Sequence, residues 1–403
     1  MSTLVHYLNM KLVKFYCISL ISFFSFSQGK IVIEGTVVDA FGTEIPYAAV
    51  GILKKNIGTT TTDEGTFSFI VSAQEADDIF EISSIGFETF KINVRQYVQG
   101  STRTIVLEEQ VSALSEVVVL SPSVYVKTAL KKLRQNTISA NHQLKLLYRR
   151  WSVEDQLCRY YIEHHINVVD RGPSSYMVNY AVDQRRVSAD YRFVKNAQKI
   201  HAVRYMEMNN PLRSGLNYRA YTWKKLAPST YDGEDVLVLE GTKKNKDMIR
   251  LYIGFDTSKI YKLEMAKKPE TNGKLLTATY VYKKNNQGKL YLSYHVREWQ
   301  GGARMPENVK RALIAAGKKA RQFIPIAYRH EVFVLSLEEN KKKFTYSGET
   351  ADKDMADYAI PYRTSFWKNI SLPPETGFFK KNRQELESHY GVSLETQFEF
   401  ANN

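Results

Sequence analysis

Cysteine is nearly absent from the sequence: the chain holds two, Cys17 and Cys158. Cys17 falls within residues 15–26, an apolar run preceded by Lys11 and Lys14 and followed by Ser27-Gln28-Gly29-Lys30. Those are the flanks and length of a secretory signal peptide, too short for a membrane span. The expectation is a signal peptide over residues 1–28, with Met10 an alternative start, and export of the rest. Phe15 and Tyr16 precede Cys17, where a lipid anchor would need small residues, so lipidation is discounted. Removal of the signal leaves Cys158 alone, which excludes an intramolecular disulfide, so the fold must rest on its cores. Cys158, in the strand-like run Leu157-Cys-Arg-Tyr-Tyr-Ile162, reads as a small buried apolar residue.

A second long apolar run is also missing, which excludes an integral helical membrane protein and leaves a soluble or peripheral one. Catalytic signatures are missing too. The sequence has no Gly-x-Ser-x-Gly elbow, no glycine-rich phosphate loop ahead of a helix, no His-Glu-x-x-His and no cysteine pair for structural zinc. Acidic residues are in deficit: 56 Lys and Arg face 42 Asp and Glu, a formal charge of +14. Nucleic acid is the first partner to consider for such a balance, but export and the interspersion of both signs along the chain argue against it. One stretch departs from that mixture. Between Glu116 and Glu154 there is no acid, and Lys127, Lys131, Lys132, Arg134, Lys145, Arg149 and Arg150 accumulate. Of these, Lys127, Lys131, Lys132, Arg134, Arg149 and Arg150 are expected to form a contact surface for an acidic partner or an anionic membrane face.

What the sequence does contain is β signal. Its 26 Tyr and 20 Phe, with many β-branched residues, favour strands. Residues 30–108 give about seven short strands between turns. Asp39-Ala-Phe-Gly42 and Thr62-Asp-Glu-Gly65 are turns, and Phe67, Phe69 and Val71 alternate with smaller residues to build one apolar face. With Gly35, Pro46, Ala48, Val50, Gly58, Thr59, Gly86 and Leu107 in that order, the segment resembles the carboxypeptidase-regulatory-like domain. The resemblance implies a transthyretin-like β-sandwich, and no peptidase comes after it. The run Leu114-Ser-Glu116-Val-Val-Val119 is similar to the segment after this domain in SusC-type TonB-dependent receptors, but the chain is too short for their barrel.

Ser121-Pro122 opens a helix whose apolar face is Val126, Ala129, Leu130 and Leu133. From Gln143 to about Gly301 the period is mostly two, broken by Asp170-Arg-Gly172, Asp232-Gly233, Asn245-Lys-Asp247, Asn272-Gly273 and Asn286-Gln-Gly288, which predicts an antiparallel meander. A helical patch spans 306–321, a strand 328–337, a polar mobile segment 339–360, and a charged helix lies around 380–390. From Val124 onward the chain resembles the C-terminal region of bacterial envelope proteins that carry the same N-terminal domain.

The metal candidates fail on strand geometry. His295-Val-Arg-Glu298, with His330 and His389 downstream, suggests a carboxypeptidase-type zinc site, but positions three apart in a strand face opposite sides. His164 and His165, beside Glu163, separate in the same way and read as neutral or partly exposed. Asp63-Glu-Gly65 reads as a plain turn rather than a calcium loop. Trp151, Trp223, Trp299 and Trp367 read as core or cross-strand packing.

The fold expected is mainly β: an N-terminal transthyretin-like sandwich (30–110), a linker and basic helix (111–141), a larger antiparallel β-meander domain with a few helices (142–338), then a polar segment and helical tail (339–403). The expected role is a non-catalytic interaction or scaffolding module of the cell envelope, periplasmic or outer-membrane-associated, with no catalytic residue, no metal and no cofactor. Its partner would be an envelope protein, with peripheral contact to an anionic membrane and no nucleic acid. The alternative is a carrier or sensor of an apolar or glycan ligand in the C-terminal β-domain.

Overall fold

The computed structural model describes residues 29–112, 120–195, 209–244, 247–267, 275–350 and 353–401. The signal segment and the run from Leu114 to Val119 lie outside the described residues.

The sandwich forms as its alternation predicts. Strand β1 (Lys30–Val38) runs antiparallel to β4 (Thr66–Ser72) and parallel to β7 (Thr104–Val106). The facing sheet has the order β3 (Ile57–Thr60), β2 (Ala49–Ile52), β5 (Ile79–Ser83), β6 (Phe90–Asn93). Phe67, Phe69 and Val71 point inward onto Val50, Ile52, Phe80 and Ile82, and Val94 and Tyr97 of α1 (Val94–Gln99) close one end. Gly35 is required by close approach: a β-carbon there would lie 2.4 Å from the Tyr97 hydroxyl, which donates to the Glu34 carbonyl. Gly65 sits at φ +67° in the Thr62–Gly65 turn, a conformation that L side chains rarely adopt.

The rest of the chain builds one long curled sheet. Its strands are β8 (His142–Glu154), β9 (Leu157–Asp170), β10 (Asn179–Val187), β11 (Thr222–Lys225), β12 (Ser229–Tyr231), β13 (Glu234–Thr242), β14 (Met248–Gly254), β15 (Ile260–Lys267), β16 (Leu275–Lys284), β17 (Leu290–Arg304) and β18 (Phe323–Glu338). From β13 to β18 each strand pairs antiparallel with the next, and β18 then pairs with β8, so the last strand of the meander lies beside its first. Helix α2 (Pro122–Asn136) lies on one face of β13–β16, with Val126, Ala129 and Leu133 buried against Leu237, Leu251, Leu263 and Tyr280. Its apolar face is thus part of the core of this sheet. Helix α3 (Glu307–Ala315) interrupts the path between β17 and β18.

Strands β8–β10 are covered on both faces, which replaces the expected in–out alternation with near-continuous burial. On the α2 side they meet Met355 and Tyr358, 0 % and 1 % exposed. On the other side α4 (Gly377–Ser388) and α5 (Leu394–Ala401) bring Phe379, Leu386 and Phe398 onto Trp151, Cys158 and Tyr161. The expectation of a mobile 339–360 segment is corrected for part of it: Met355 and Tyr358 are buried and Glu349 exchanges backbone hydrogen bonds with Val182, while Tyr346 is exposed. The Cys158 thiol is buried, and burial pushes its pKa up, as an inert packing cysteine requires.

Candidate functional site

The site arises where the sandwich meets the sheet. Pairing of β17 with β18 ends at Tyr294 and Phe333; three residues on, at Ser336, β18 takes Ile57 of β3 instead. The small sheet therefore branches from the large one, and the start of β17 and the end of β16 splay away beneath it. Two neighbouring hollows fill the angle, sharing Ala49, Ser83 and Tyr231 as walls.

The larger hollow has a volume of about 320 Å³ and aromatic walls, among them Tyr47, Phe87, Tyr231, Tyr252, Tyr261 and Tyr282. Tyr47 holds φ 63°, a left-handed conformation that costs a bulky residue about 1–3 kcal/mol. Its ring stacks on Tyr294 at 4.9 Å, so the sandwich turn is fixed against β17. The smaller hollow, about 50 Å³, is walled by Gly51, Glu81, Asp232, Lys283, Lys284 and Tyr291, among others. Lys284 is paired with Asp232 at 2.7 Å. Lys283 is 9 % exposed, and burial pushes its pKa down to about 8.

The docking is held by charge. Arg329 reaches Asp63 of the sandwich turn at 2.9 Å, Glu298 at 2.9 Å and Glu331 at 2.6 Å, and covers the ring of Phe378. Glu64 accepts from the Gly377 amide at 2.6 Å, at the N-terminus of α4, where a carboxylate is favoured. The Thr62–Gly65 turn, read from the sequence as a plain turn, is plain in geometry but anchored to the rest of the chain through both of its carboxylates.

The residues singled out by sequence fall elsewhere. His295 and His330 do meet, with ring centroids 5.5 Å apart, and Tyr280 stacks on His295. Glu298 faces the other side of the sheet and pairs with Arg329, while His389 bonds the Cys158 carbonyl on that far side, so the four never converge. No group of three His, Cys, Asp or Glu able to hold a metal occurs among the described residues. His164 and His165 also part as the alternation requires: His164 packs near Tyr148 and Tyr358, and His165 lies 3.4 Å from Asp183. Both are buried rather than partly exposed, because both faces are covered. Burial lowers the pKa of His164 and of His295 to about 3.

The expected basic contact surface divides. Lys127, Lys131 and Arg134 are exposed on α2 and Lys132 is half-buried. Arg149 and Arg150 are corrected: they are 4 % and 1 % exposed and belong to the core. Arg149 pairs with Glu163, which Arg186 holds from the opposite strand, a triad spanning β8, β9 and β10 in register. Arg150 lies over the ring of Tyr328 at 5.1 Å. All four tryptophans pack: Trp151 on Tyr161, Trp299 on Tyr328, Trp367 beneath Arg186, and Trp223 with its indole nitrogen donating to the Tyr218 carbonyl. Lys283 escaped notice because its surroundings come from β2, β3 and β5, about 200 or more positions earlier in the chain.

Comparison with known proteins supports the first domain most directly. The family model described as the CarboxypepD_reg-like domain matches residues 33–119, so the N-terminal sandwich is a carboxypeptidase-regulatory-like domain. No curated protein matches the chain. Among solved structures, a LolA superfamily protein from Nitrosomonas europaea aligns at 13 % identity with a TM-score of 0.22, covering 54 % of this chain and 96 % of its own. A putative outer membrane lipoprotein-sorting protein domain from Vibrio parahaemolyticus aligns at 9 % identity and 0.27, covering 55 % and 97 %. The Pseudomonas aeruginosa MucA/MucB complex aligns at 12 % identity and 0.18, covering 57 % and 99 %. Likeness at these scores assigns neither a fold family nor a function to this chain.

Proposed function

We propose that this chain is a non-catalytic binding module of the cell envelope, exported and either periplasmic or associated with the outer membrane. It engages its ligand or partner in the cleft between sandwich and sheet. One observation carries the reading: a hollow of about 320 Å³ with aromatic walls lies at the junction of two bodies that Arg329 and the Tyr47–Tyr294 stack fix in place. Concave, aromatic-walled sites at domain junctions are where ligands bind most often. A carrier site on the face of the sheet that carries α2 is less supported, since α2, Met355 and Tyr358 occupy much of that face. The four cations on α2, Lys127, Lys131, Lys132 and Arg134, offer a second contact to an acidic envelope partner or anionic head groups.

The test is recovery of a partner. Chemical cross-linking in intact cells, followed by pull-down from envelope extracts, should recover a defined species with the natural chain and lose it with Ser84→Trp, which fills the cleft from a partly exposed loop position. Equal recovery with a folded Ser84→Trp variant would reject the cleft as the site.

A further inference from the structure

Lys283 is the most anomalous charged group of the cleft. It is nine-tenths buried and faces the smaller hollow. Among the described residues it contacts the face of Tyr291, 5.4 Å away, and no carboxylate lies within ion-pairing distance of it. The acids in the same walls are engaged: Asp232 by Lys284 at 2.7 Å and by Thr89 at 3.3 Å, and Glu81 by Lys91 at 3.4 Å. Burial alone acts on the Lys283 ammonium, with no neighbouring charge offsetting it. A buried cation without a counter-ion either gives up its proton or is stabilised by a bound anion.

The surroundings narrow the anion. Tyr231 and Ser83 present hydroxyls 3.2 Å apart at the wall common to both hollows, and the Tyr291 phenol lies beside Lys283. Tyr231 is held protonated at neutral pH, since burial pushes its pKa up to about 12. One cation without an ion-pair partner, beside hydroxyl groups and with the wall carboxylates already paired, matches a single negative charge. A space of about 50 Å³ admits a carboxylate head but little more, and it shares Ala49, Ser83 and Tyr231 with the aromatic hollow of about 320 Å³.

From this geometry we infer that the cleft binds a small-molecule monocarboxylate, with its carboxylate on Lys283 and its apolar body among Tyr47, Tyr252 and Tyr261. The inference rests on the cleft being the binding site and names the chemistry it takes.

Octanoate titrated calorimetrically into the full mature chain is the direct probe, with octanol as the uncharged counterpart. Saturable octanoate binding is expected, weakened at least tenfold by Lys283→Met and less than twofold by Lys342→Met, an exposed lysine outside both hollows, with octanol weaker than octanoate. Lys283→Met removes a buried charge and should fold. In the natural chain, octanoate affinity should also fall between pH 7 and pH 10 as the lysine loses its proton, and Lys283→Met should be flat over that range. No saturable octanoate binding, or equal binding to folded Lys283→Met, overturns the inference. If octanoate fails while Ser84→Trp still abolishes partner recovery, the carboxylate is wrong and the cleft stands; if both fail, the cleft falls too.

Discussion

Glu163 sits between Arg149 and Arg186 on three adjacent strands, and the three side chains are almost wholly shielded from solvent. Burial raises its carboxyl, but Arg186 and Arg149 outweigh that and hold it below the usual carboxylate range. Removing the negative centre leaves two buried guanidinia unpaired, so Glu163→Gln should lose about 3–5 kcal/mol in urea unfolding. His164 and His295 set the acid limit. In the native state burial lowers both to about 3, whereas the unfolded chain takes up those protons near 6.5. The unfolded state therefore binds more protons between those values, and stability falls as pH drops from about 6.5 towards 3. Urea midpoints measured across that range should fall less steeply for His164→Asn than for the natural chain. At this scale the sequence was readable for facing, since alternation separated His164 from His165 and His295 from Glu298. It was not readable for exposure. Arg149 and Arg150 look like surface cations until α4, α5 and the segment around Met355 are known to cover both faces of β8.

Among elements, α2 shows the same division. Its apolar positions Val126, Ala129 and Leu133 were legible from spacing, and they are the ones buried. Its role was not, because the strands that receive it begin about a hundred residues later. Leu133→Ala should cost about 2–5 kcal/mol by opening a cavity under the helix, while Lys131→Ala, on the exposed side, should stay within about 0.5 kcal/mol. Thermal or urea unfolding of the two variants checks the contrast. The sandwich strands were read closely because each turn residue acts locally. The 339–360 segment is polar and largely exposed as its composition indicates, but that composition hides two anchors, Met355 and Tyr358.

At the scale of the whole molecule, the cleft exists only because sandwich and sheet are held together. No sequence pattern announces that junction: Asp63 and Arg329 are 266 positions apart, and their pairing is a product of the fold. Arg329→Met should loosen the sandwich without unfolding it. Hydrogen exchange should then quicken at β3 and at the Ser336 end of β18, while β13–β16 stay protected; unchanged protection at β3 would show that the ion pairs are dispensable. Whether the chain works through this cleft is tested most directly by photo-cross-linking in intact cells. A benzoylphenylalanine placed at Tyr47 is compared with one at Lys131 on the basic helix. The result predicted is a discrete adduct from position 47 that octanoate or Ser84→Trp suppresses. An adduct from position 131 with none from position 47 would contradict it.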